Sequence, residues 1–165
     1  METPSALTQL VLNSWDLQLT RFNQLLHALS DDRLLLPMAP GRSRGIYILG
    51  HLIAVHDRMI PTLYLGEQMY GSWHDTFLKN PDDPTVAMPS VQELRAYWSS
   101  VNQFLEEKFR ILSPAEWLQK HSAVSADLVG RQRRVMQPRF GDIGHAASLC
   151  RGWSAATLAT GCTLS

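Results

Sequence analysis

The chain has 165 residues, with 15 lysines and arginines balanced by 15 aspartates and glutamates, and two cysteines. One domain of that size buries a full core without disulfides or a structural metal. The balanced charge leaves no electrostatic footprint for a phosphate backbone or an anionic membrane surface, so nucleic acid is not an expected partner.

Cys150 and Cys162 stand outside any CxxC or Cys/His pattern with metal spacing, which favours a reducing, cytoplasmic setting. METPSALTQL lacks the basic and apolar regions of a signal peptide. No run approaches the roughly 18 apolar residues of a membrane span.

From Thr3 to Leu29 the apolar residues Leu7, Leu10, Val11, Trp15, Leu19, Phe22, Leu25, Leu26 and Leu29 recur at three- and four-residue steps, predicting a long amphipathic first helix. Ser30-Asp31-Asp32 interrupts it, and Pro37, Pro40 and Gly41 make the next stretch a loop. A second helix is predicted from near Arg44 to about Leu65, with Pro61 in its last turns and Gly66 as its stop. Residues 66 to 89, polar and rich in proline and aspartate, read as a long crossover loop pinned to the helices by Tyr70, Trp73 and Phe77. Ser90-Val91-Gln92-Glu93 matches a capping box and opens a third helix running through Leu112, after which Ser113-Pro114 begins a short helical turn.

The remaining chain is different in kind. Residues 126 to 165 hold glycines at 130, 141, 144, 152 and 161 plus Pro138, and their apolar residues keep poor periodicity. A fourth helix is expected at about Asp142 to Leu158. Three long amphipathic helices need a fourth to close their core, so the predicted fold class is all-α, a four-helix bundle forming one domain over residues 1–165.

The chemistry-bearing residues are histidines. At about 100° per residue, His51 and His56 of the second helix point roughly 140° apart and are poorly placed to chelate one ion together. Leu49, Leu52, Met59, Ile60 and Leu63 mark the apolar arc; His56 falls near its middle and His51 towards an edge. A buried imidazole needs a partner, since an unpaired polar group in a core costs about 1–3 kcal/mol. The ordinary reading therefore has His56 donating to a core carbonyl or carboxylate and His51 half-exposed. His27 is expected to pack along the first helix's apolar run, and His74 to stand in the crossover loop at a pocket mouth. Glu106-Glu107 reads as a solvated pair rather than catalytic carboxylates. The sequence contains no phosphate-binding glycine loop or HExxH.

Gly45-Ile46-Tyr47-Ile48-Leu49-Gly50-His51-Leu52 with His56-Asp57-Arg58 after it, between the leucine-rich first helix and the helix from Ser90, resembles the DinB-like superfamily of bacterial four-helix proteins over roughly residues 5 to 112. The resemblance implies a divalent metal ion, zinc or nickel, held by one histidine of the second helix and an HxxxH pair on the fourth. His51 matches the second-helix ligand. No HxxxH occurs in this sequence, which leaves His121 and His145 as the remaining candidate ligands. The implied activity is a thiol-dependent transferase or isomerase joining a small thiol to an electrophilic small molecule, in a chain able to form a homodimer. The alternative is a non-enzymatic helical stress-related or dimerising protein whose metal site is lost. The missing pair coincides with the glycine-rich tail, which predicts a shift of reading frame after about Ala126.

Overall fold

The computed structural model describes residues 6–119. Helix α1, Ala6–Ala28, buries Leu12, Trp15, Phe22 and Leu26 along one stripe, as the three- and four-residue apolar spacing requires. A one-turn helix α2, Asp31–Leu34, follows with Ser30 as its cap, its hydroxyl accepting the Arg33 N–H at 3.3 Å. The proline-rich loop then folds back on itself through an antiparallel bridge between Pro37 and Arg44. Among the described residues no strand forms.

Helix α3, Gly45–Thr62, is the predicted second helix. Its start is fixed by Arg44, whose backbone N–H and guanidinium both meet the Asp82 carboxylate, at 2.7 and 2.6 Å. Burial works against the Asp82 charge, but the Arg44 hydrogen bonds outweigh it and hold that carboxyl below the usual aspartate value.

The end of α3 departs from expectation. Tyr64, at φ 57°, takes the left-handed position two residues before the predicted stop at Gly66. Tyr64 N–H donates to the Pro61 carbonyl at 3.1 Å and Leu65 N–H to the Ile60 carbonyl at 2.9 Å. These two bonds satisfy the helix's last carbonyls in a Schellman arrangement.

The crossover is also more ordered than a loop. It holds a 3-10 turn, Gly71–Trp73, and a π turn, Asp75–Lys79. Phe77 is buried, and Tyr70 stacks on Tyr97 at 4.2 Å, so both serve as the expected pins.

Helix α4, Val91–Ile111, opens on the predicted capping box of Ser90 and Glu93. A final turn, α5, Pro114–Trp117, carries a second box of Ser113 and Glu116 and buries Trp117 against Phe109. Arg95 of α4 donates to the Leu26 and Leu29 carbonyls at the end of α1, at 2.7 and 2.8 Å, while Trp98 meets Asn23 and Phe109 meets Trp15. Residues rising along α4 thus meet residues falling along α1, and the two helices are antiparallel. Ile46 borders the same surface groove as Val91, Gly50, Ile53 and Ala54 line one small cavity with Leu94 and Tyr97, and His56 pairs with Asn102, so partners rise together along both helices and α3 and α4 are parallel. Parallel neighbours need a long return connection, and that is the physical reason for the crossover's length. The fold is an all-α helical bundle; the expected fourth helix lies outside the described residues. No helix among those described is long and apolar enough to cross a membrane.

Candidate metal centre

Helix α3 sends its two histidines to different environments, as their angular separation requires. His56 is 1% exposed, with its ring between Trp15 and Trp98 at 5.0 and 4.9 Å. Its Nδ1 lies 2.7 Å from Asn102 Oδ1. The Asn102 amide nitrogen donates to the Trp98 carbonyl at 2.7 Å, which turns the amide oxygen to the imidazole and makes Nδ1 the protonated nitrogen. Burial pushes the His56 pKa down to about 4 against the opposing pull of the Asn102 bond, so the ring is neutral near pH 7. His56 is a core residue with a side-chain carbonyl as its partner. Sequence reasoning missed Asn102; the available signal was a polar residue inside the apolar stripe of Trp98, Val101 and Leu105.

His51 sits half-buried at the edge of the packed face. Its Nδ1 lies 2.7 Å from the Phe77 carbonyl oxygen. A carbonyl only accepts, so Nδ1 carries the proton and Nε2 keeps its lone pair. Nε2 makes no hydrogen bond to any described residue. Tyr47 lies nearly parallel to the imidazole, 6.4 Å between ring centroids, and its hydroxyl donates to the Asn80 carbonyl at 2.5 Å. Burial, and then the Asp82 charge, raise the Tyr47 pKa and keep that hydroxyl a donor.

The Phe77 carbonyl is held in turn by packing and by a buried carboxylate. The Phe77 ring lies in a slot over Gly50, where an added Cβ would fall 2.2 Å from the ring. Two turns further along α3, Asp57 is fully buried and accepts Met69 N–H at 2.7 Å, Tyr70 N–H at 3.1 Å and His74 Nε2–H at 2.9 Å. His74 therefore anchors the crossover rather than lining a pocket mouth. Asp57 was not singled out from sequence, although a carboxylate between Ile53 and Ile60 on one helix face was a readable sign.

The other candidates stand apart. His121 and His145 lie outside the described residues. His27 is exposed on α1 rather than packed in its apolar run. Glu106 and Glu107 are bonded to Arg110 and Gln103 on their own helix. Among the described residues no cluster of three or more histidines, cysteines or carboxylates forms a metal site.

A family model described as the DinB superfamily matches residues 14–128. The chain belongs to the DinB superfamily. No curated protein matches it. The DinB match takes in most of α1 and all of α3, α4 and α5, with Gly50, His51, Asp57 and Phe77 inside it. It ends close to Ala126, where the sequence turns glycine-rich.

Proposed function

We propose that this DinB chain binds a divalent metal ion, zinc or nickel, through His51 Nε2, with His121 and His145 as the remaining candidate ligands. The observation that carries the reading is the tautomer of His51. Its Nδ1 proton is given to the Phe77 carbonyl at 2.7 Å, leaving Nε2 as the metal-binding nitrogen, and metal-bound histidines are oriented by a carbonyl in the same way. A three-histidine ion with open positions acts as a Lewis acid and lowers the pKa of a bound thiol or water. In this reading the chain is a thiol-dependent transferase or isomerase acting on a small thiol and an electrophilic small molecule. Tyr47 and Phe77 orient His51, and the Asp57 anchor holds the crossover over it.

Elemental analysis of the full chain beside His51→Ala tests the proposal. Near-stoichiometric zinc or nickel that is lost in the variant supports it, and no metal in either protein refutes it. A cytoplasmic setting and homodimerisation belong to the same proposal and are tested by cell fractionation and light scattering. The second reading is a non-enzymatic helical protein whose site is lost. It is favoured by the absence of an HxxxH pair in the sequence, and sequencing the gene around the Ala126 codon tests the frame shift that would explain it.

A further inference from the structure

Asp57 and His51 lie on one helix, six residues apart, and each is tied to the same short piece of the crossover. Asp57 collects three N–H donors, all from Met69, Tyr70 and His74. His74 is the residue from which the π turn Asp75–Lys79 begins. Phe77, three residues on in that turn, presents its carbonyl to His51 Nδ1. A helical turn is a stiff spacer, and π turns displace a carbonyl from the regular ladder, freeing it for an outside donor. The buried carboxylate thus fixes one end of a rigid segment whose middle sets the proton position of the imidazole.

We infer that Asp57 and His74 are positioning residues that hold His51 in its Nδ1-protonated tautomer, acting through the π turn and the Phe77 carbonyl. The inference rests on the metal reading only for its consequence in affinity, because the tautomer is a property of the metal-free chain. A free imidazole in water samples both tautomers. His51 is committed to one because the Phe77 oxygen is fixed at 2.7 Å from Nδ1. Tyr47 contributes from the other side, its hydroxyl held by the Asn80 carbonyl at 2.5 Å and lying 3.5 Å from the Phe77 carbonyl.

The test is a nitrogen-15 correlation spectrum of the histidine rings in the full chain after chelation, recorded for the wild type, Asp57→Asn, His74→Ala and His74→Gln. The wild type should show a protonated Nδ1 and a bare Nε2 at His51. Asp57→Asn and His74→Ala should move His51 towards a mixture of tautomers, and His74→Gln, which restores an N–H donor, should return it towards the wild-type pattern. An unchanged His51 pattern in folded Asp57→Asn or His74→Ala overturns the inference. Asp57 is fully buried, so if its variant fails to fold, His74→Ala decides, because His74 lies at the rim of the packed face. A parallel zinc titration separates the two proposals. The anchor variants should bind zinc about 10-fold or more weakly, the range seen when groups behind a metal ligand are removed. A wild type that binds neither zinc nor, in the same titration, nickel but shows the tautomer response refutes the metal reading and leaves this inference standing. Zinc binding with no tautomer response does the reverse.

Discussion

Replacing Gly50 by alanine puts a methyl group where the Phe77 ring already lies. The new Cβ would sit 2.2, 2.3 and 2.6 Å from three ring carbons, against about 3.5–4.0 Å for carbon atoms in contact. The ring must retreat by more than about 1 Å, and the cavity beside it, lined by Ile53, Ala54, Tyr70 and Trp73 among others, measures only about 10 Å³, room for a single water. Overpacking of this kind destabilises by about 1–3 kcal/mol. Alanine recovers about 0.5–1 kcal/mol because it is the better residue inside a helix. The expected net loss is centred near about 1 kcal/mol and reaches at most about 2.5 kcal/mol, read as a lower urea midpoint at unchanged slope. Phe77→Leu removes the two closest ring carbons, so the cost of Gly50→Ala should shrink in that background, and a double-mutant cycle measures the difference. A Gly50→Ala protein as stable as the wild type, or more so, would refute the slot and with it the packing that holds the Phe77 carbonyl over His51.

Other consequences follow from single residues. The His56 pKa falls from 6.5 to about 4 in the folded chain, so the unfolded chain takes up the proton first. The resulting stability is fully present above about pH 6.5 and is lost as pH falls towards 4, by up to about 3 kcal/mol at about 1.4 kcal/mol per pH unit. Urea unfolding at pH 7, 6 and 5 should show that slope, and His56→Gln should flatten it; an equal slope in the variant would place the titration elsewhere. Tyr64 is 67% exposed and left-handed, so Tyr64→Gly should raise stability by about 1 kcal/mol, seen as a higher melting temperature. A fall would mean that the tyrosine side chain stabilises the helix end more than its backbone conformation opposes it.

What could be read from the sequence is what local chemistry sets. The helices follow from apolar residues three and four apart and from the Ser90–Glu93 cap, both confined to a few neighbouring residues. The angular placement of His51 and His56 on one helix was legible for the same reason, since it depends only on residues per turn. The family was legible from the stretch around Gly50 and His51. His27 shows the limit of run-based reading. It follows Leu25 and Leu26 in sequence but faces outward, because one residue's step turns it away from Leu26.

The partners of the polar groups were decided only by the packed chain. Asn102 is 46 residues from His56, Phe77 is 26 from His51 and His74 is 17 from Asp57. Each buried N–H or oxygen needs a mate, but nothing within one helix specifies which distant residue supplies it. The parallel setting of α3 and α4 brings these pairs together and makes the crossover run back over the helix it has just left. Sequence alone determined where the three long helices lie and which imidazole faces the core. Tertiary structure decided which nitrogen of each imidazole carries the proton, because that depends on the oxygen placed opposite it.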